Sequence, residues 1–162
     1  MKATARRENG SLRHTVEMRK HTLVADEPKD EGGDDSGPSP QELLAASLAS
    51  CTAITMEMYA KRKRWDAGEL AVHVEYEPAQ RGSPTRFRMI VDFPKELPDE
   101  QRERLMQIGA KCPVHRVLEG EVMFEESVEL VRALWISPPG ADAPGERPWS
   151  PPIPPSSSTP SC

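Results

Sequence analysis

Cysteine is scarce in this chain of 162 residues: only Cys51, Cys112 and Cys162. Three thiols do not make a dense disulfide framework, and in a cytosolic protein a disulfide among them is expected to be transient and chemical. A basic excess is also missing. The formal net charge is −5, which argues against nucleic acid as the main partner, because phosphate binding needs a positive surface. No apolar run is read as long enough to span a bilayer, and MKATARRENG at the start lacks an apolar signal-peptide core. The expectation is therefore no membrane and a cytoplasmic location. No internal repeat is visible. What is present, 36% hydrophobic residues in a mildly acidic chain, suffices for one soluble domain with a core.

The pattern along the chain predicts α+β architecture. Lys2 to Glu8, Leu12 to Arg19 and His21 to Ala25 read as three strands, the first two joined by an Asn9-Gly10 hairpin turn. DEPKDEGGDDSGPSP, residues 26–40, reads as a charged and solvated surface loop. Glu69 to Glu77 and Thr85 to Phe93 alternate polar and apolar residues around PAQRGSP, which predicts a hairpin with one wet face. A helix is expected from Pro98-Asp99-Glu100, a short one from Cys112-Pro113, and a closing strand over Glu121 to Arg132. Residues 1–136 form the predicted domain. Residues 137–162, rich in Pro and Ser, are expected to be a disordered tail with Cys162 at its tip.

Between the sheets lies GPSPQELLAASLASCTAITMEMYAKRKRW, residues 37–65. Ser39 as N-cap, Pro40 at the first helical position and Glu42 three residues after the cap predict a capping box. From Leu43 to Tyr59 nearly every residue is apolar or small, so the helix should be buried on most of its surface. One small sheet cannot cover such a helix; a second copy of the chain could, which predicts a homodimer. Lys61 to Arg64 complement the negative end of the helix.

Cys51 sits mid-helix, where a thiol can be packing, half of a redox pair, or a metal ligand. Cys112 precedes a proline suited to a first helical turn, which places it at or beside an N-cap, with Lys111 and Arg116 adding positive potential. Adding His115 to the two cysteines makes an incomplete zinc set, so no metal is expected. His14, His21 and His73 read as ordinary strand positions.

HTLVADEP, the long helix and DEQRERLMQIGAKCPVHRVLEGEV together resemble the OsmC/Ohr superfamily of thiol peroxidases, with both cysteines in register over roughly residues 10–130. The resemblance is nearest to the OsmC-like branch, whose helix reads GPSP-x-E-L-L-x-A-x-L-x-x-C-T. It implies antiparallel curved sheets around a long buried central helix, an intertwined homodimer, and active sites at the subunit interface. It also implies that Cys51 attacks an organic hydroperoxide, that Cys112 resolves the product as a disulfide, and that an external dithiol restores the pair. Lipoyl-type dithiols serve part of the family, and no bound cofactor is implied.

An apolar pocket around Cys51, drawn from Leu44, Leu48, Ile54 and Met58, would favour organic peroxides. Family members flank the attacking thiolate with a carboxylate and an arginine; Glu42, Arg13 and Arg19 are the candidates here. The organic-hydroperoxide subfamily carries its acid ten residues before the cysteine, where this chain has Gln41, and its Gly-Gly-Arg-Asp-Gly motif is absent. The competing expectation is a non-catalytic module of the same fold, holding an apolar ligand at the dimer interface.

Overall fold

The computed structural model describes residues 1–7 and 10–128. The element order is β1 (Ala3–Arg7), β2 (His14–Met18), β3 (His21–Ala25), α1 (Pro40–Lys63), β4 (Ala71–Glu77), β5 (Arg86–Asp92), α2 (Asp99–Gly109) and α3 (Pro113–Glu119). Strands β1, β2 and β3 form one antiparallel sheet in sequence order, and β4 and β5 form a second. Helix and antiparallel sheet are thus mixed as the pattern predicts. β3 keeps the expected bounds, while β2, β4 and β5 each fall short of the expected run at one end or both. Gly10 closes the first hairpin with φ +77°, and Asn9 of the expected turn lies outside the described residues.

In β4 and β5 the alternation puts Val72, Val74 and Tyr76 on one face, opposite Val91, Met89 and Phe87. Tyr76 and Phe87 pack with ring centroids 5.2 Å apart, a cross-strand aromatic pair of the kind that fixes register. The other face carries His73 bonded to Asp92 at 3.0 Å and Arg88 bonded to Glu75 at 3.4 Å. The inner face lies against α1, and the core gathers Met56, Tyr59, Ala60, Ala67, Leu70 and Leu105.

Helix α1 begins as the sequence predicts. Ser39 Oγ accepts the Glu42 N–H at 3.2 Å, and the Ser39 N–H donates to Glu42 Oε2 at 2.8 Å. Its burial differs from the expectation. Within one chain only a stripe through Leu48, Thr52, Met56, Tyr59 and Ala60 is buried, because one two-stranded sheet and two short helices cover only one side. The opposite stripe stays open, with Ile54 55% and Met58 69% exposed. The helix also corrects the expectation about apolar length. Its 24 residues, with a mean hydropathy of 1.3 in the best window, are long and apolar enough to cross a bilayer on those two measures. Packing against β4, α2 and α3 gives it the setting of a core helix.

Two further differences have local causes. Asp26 is not a solvated loop charge; it is only 2% exposed. Its carboxylate accepts the N–H groups of Glu27, Asp34 and Ser36 and the Ser36 hydroxyl, the last at 2.7 Å. The hydrogen bond from Ser36 is the main cause holding its carboxyl below the usual range. The loop folds around this residue so tightly that a Cβ on Gly33 would fall 1.8 Å from the Glu27 carbonyl oxygen. Second, residues 121–128 form no strand. A strand needs an edge to pair with, and Met123 and Phe124 instead stand 90% and 81% exposed. Residues 129–132 of that expectation lie outside the described residues, as does the 137–162 segment. The chain divides into two compact units, one from Met1 to Met123 and one that begins at Phe124.

Candidate active site

The close approach of α2 to α1 positions the site. Gly109, at the end of α2, leaves no room for a side chain: a Cβ there would lie 2.3 Å from Met56 Cε and 3.0 Å from Thr52 Cγ2. The chain then turns through Ala110 and Lys111 and delivers Cys112 to the flank of α1. Cys112 is fully buried and is the N-cap of α3, its sulfur accepting the His115 N–H at 3.4 Å. Pro113 follows at the first helical position, where its missing N–H costs nothing.

The Cys112 sulfur also meets the Thr52 hydroxyl at 3.5 Å, a contact between buried groups 60 residues apart in sequence. Cys51, the neighbour of Thr52, is half-buried and free. Burial pushes its thiol up from the ordinary value. A hydrogen bond from the Val114 backbone opposes this, while the hydrogen bond and the charge of Cys112 raise it further. The two thiols therefore share one electrostatic environment, and Cys51 is held neutral more strongly than a free thiol. Thr55 bonds back to the Cys51 carbonyl at 2.7 Å.

The other sequence candidates lie elsewhere. Glu42 is occupied by the capping box, and nine residues of helix place it ~13 Å along the axis from Cys51, on the opposite side. Arg13 precedes β2, and Arg19 occupies the β2–β3 turn with a left-handed φ of 55°. The main influences on the Cys51 thiol come from α1 and α3, and none is an arginine. His115 turns its Nδ1 toward the Ala110 carbonyl and stands 3.6 Å from Glu119.

Of the residues expected to line an apolar pocket around Cys51, Leu44 and Leu48 line one open groove and Met58 another, and Cys51 lines neither. One, of about 490 Å3, is lined by Leu44, Leu48, Tyr76, Phe87, His115 and Leu118, with Glu119 at its rim. The other, also about 490 Å3, lies about two turns further along α1, among Thr55, Met58, Tyr59, Arg62, Lys111 and Pro113. Thr52, Gly109 and Tyr59 were not singled out in the sequence as site residues. The only signal for them is a small residue and a hydroxyl at helix-contact spacing.

A family model described as OsmC-like protein matches residues 33–127, more than half of the chain. The chain belongs to the OsmC-like family. Its fold is also that of solved OsmC/Ohr proteins. An osmotic stress induced and detoxification response protein from Psychrobacter arcticus superposes with a TM-score of 0.62 at 25% identity, covering 71% of this chain and 85% of the other. The organic hydroperoxide resistance protein OsmC from Legionella pneumophila gives 0.57 at 19% identity, over 73% and 88%. The organic hydroperoxide resistance protein OhrB of Bacillus subtilis gives 0.52 at 21%, over 74% and 90%. No match was found among curated proteins.

Proposed function

We propose that this OsmC-like protein is a thiol-dependent peroxidase that reduces organic hydroperoxides through Cys51 and Cys112, and that it works as a cytoplasmic homodimer. The observation that carries this reading is the burial of the Cys112 sulfur against Thr52, the helix neighbour of Cys51, at 3.5 Å and 60 residues apart in the chain.

Cys51 is the accessible member and Cys112 the enclosed one, which suits attack by the first and resolution by the second. In the first step the Cys51 thiolate takes the distal oxygen of the hydroperoxide. The O–O bond breaks, the alkoxide leaves and picks up a proton as the alcohol, and Cys51 becomes a sulfenic acid. In the second, the Cys112 sulfur displaces hydroxide from that sulfenic acid, releasing water and forming the Cys51–Cys112 disulfide. An external dithiol then returns two electrons and two protons by exchange. The aromatic and aliphatic groove beside Leu44, Tyr76, Phe87 and Leu118 offers more to an organic peroxide than to hydrogen peroxide.

The raised thiol of Cys51 needs a cation to become a good nucleophile. Cys51 shares a face of α1 with the open Leu44 and Met58, and in this reading the second subunit covers that face and supplies the cation. Arg13 before β2 and Arg19 in the β2–β3 turn, reaching from the second subunit, are the candidates for that role, and Glu42 of that subunit for the accompanying carboxylate.

The test follows cumene hydroperoxide loss with a dithiol present, using wild type, Cys51→Ser and Cys112→Ser in a Cys162→Ser background. Wild type should consume peroxide, Cys51→Ser should be inactive, and Cys112→Ser should stall as a trappable sulfenic acid. A wild-type rate equal to that of Cys51→Ser would exclude the enzyme and leave the apolar-ligand module as the reading.

A further inference from the structure

Three hydroxyls flank Cys51 on α1, and they face different partners. Ser50 Oγ donates to the Ala46 carbonyl at 2.8 Å, and Thr55 Oγ1 to the Cys51 carbonyl at 2.7 Å. Both bonds run back along the helix, the ordinary use of a hydroxyl there. Thr52 Oγ1 reaches a different part of the chain, meeting Cys112 Sγ at 3.5 Å. Both of these residues are fully buried.

The contact is fixed from both sides. Thr52 is β-branched, and such a side chain has few χ1 choices in a helix. Its methyl lies over Gly109, where an added Cβ would come within 3.0 Å of Cγ2, and its hydroxyl is left for the sulfur. The Cys112 main chain is held in turn: its N–H donates to the Gly109 carbonyl at 3.1 Å, and its carbonyl accepts the Arg116 N–H at 3.1 Å. Its sulfur accepts the His115 N–H at 3.4 Å. A hydroxyl in a dry contact between elements costs free energy that a valine of the same shape does not. Here that hydroxyl is directed at one atom, the sulfur assigned to the resolving step.

A hydroxyl suits a sulfur that changes state. While Cys112 is a thiol, its S–H can donate to Thr52 Oγ1. A thiolate has no proton to give, needs donors, and is enclosed away from solvent at this position. By turning its O–H about the C–O bond, Thr52 becomes a donor without moving a heavy atom. The His115 N–H can only donate and cannot make that change.

We propose that Thr52 is a positioning residue for the resolving step: it holds the Cys112 sulfur against α1 and donates to it as negative charge develops there. The proposal rests on the peroxidase reading and adds a residue to its second half-reaction. The Cys112 sulfur forms the S–S bond to Cys51 as the S–O bond of the sulfenic acid breaks. The departing hydroxide takes the Cys112 proton and leaves as water. Thr52 keeps its own proton throughout and is neither oxidised nor reduced.

The experiment mixes Cys162→Ser protein with one equivalent of cumene hydroperoxide. Samples are quenched at intervals with acid for intact mass, and in a parallel series with dimedone, which traps the sulfenic acid. Thr52→Val keeps the shape and loses the hydroxyl; Thr52→Ser keeps the hydroxyl and loses the methyl beside Gly109. Sulfenic acid should form at the starting rate in both. Disulfide closure should slow about tenfold in Thr52→Val, for one lost hydrogen bond to a developing charge, and recover in Thr52→Ser. Packing alone predicts the opposite order, since serine is the variant that leaves a void. Should Thr52→Val fail to fold, Thr52→Ala against Thr52→Ser makes the same comparison with the methyl absent from both. Closure as fast without the hydroxyl as with it would overturn the role of Thr52 and leave the peroxidase standing. A starting protein that forms no Cys51–Cys112 disulfide with peroxide would overturn the peroxidase reading and this proposal with it.

Discussion

A thiol reacts as its thiolate, so everything that stabilises the neutral form of Cys51 slows it. Burial is the largest such influence here, and Cys112 adds to it through a hydrogen bond and through charge. Removing the Cys112 sulfur should therefore lower the Cys51 value toward that of an ordinary thiol. The sign is definite: a thiol held high is mostly protonated at neutral pH and gains reactivity only as pH rises. In Cys112→Ala the alkylation of Cys51 by iodoacetamide should be faster at pH 7, and its pH profile should move to lower pH. Following adduct mass on Cys51 across pH in both proteins measures this directly. An unchanged profile would mean that the two side chains do not sense each other. The buried contact from Thr52 to Cys112 belongs to the same scale: it ties the enclosed sulfur to the helix that carries the accessible one.

At the scale of elements, α1 organises the molecule, and its start is held by reciprocal bonds between Ser39 and Glu42. Ser39→Ala removes the side-chain acceptor for the Glu42 N–H at a buried position and should destabilise the fold by about 1 kcal/mol. Urea unfolding followed by circular dichroism would read this as a lower midpoint with an unchanged slope. This helix start was legible in the sequence because a capping box is written in four adjacent residues. The β4–β5 hairpin was legible for a similar reason, since alternation needs only one strand at a time. The burial of Asp26 was not, because six acidic residues in a loop look alike until one is chosen by Ser36 and the backbone. Nor was the lack of a strand over residues 121–128, because a strand pattern does not say whether an edge is there to pair with. In the site, Cys51 and Cys112 stood out by residue type and register. The placing of Thr52 against Cys112 depends on how close α2 comes to α1, and only Gly109 hints at that.

For the whole molecule, one chain leaves too much apolar surface uncovered. Leu44, Ile54 and Met58 lie open along α1 at positions that share a face with Cys51. Contiguous exposure of this kind marks an interaction surface, and at ~25 cal/mol per Å2 its burial would drive association strongly. The proposed occupant is a second copy of the chain. Ile54→Glu would place a carboxylate in the middle of the buried stripe, where an unpaired charge is costly, yet in the isolated chain that side chain faces water. The variant should keep its far-UV circular dichroism and shift from dimer to monomer in sedimentation velocity at micromolar concentration. If the partner also supplies the cation that Cys51 lacks within its own chain, the same variant should lose peroxidase activity far beyond any change in helix content. Its Cys51 thiol should also alkylate only at higher pH than in wild type. A wild-type protein that sediments as a monomer would remove the dimer and leave Cys51 without that source of activation.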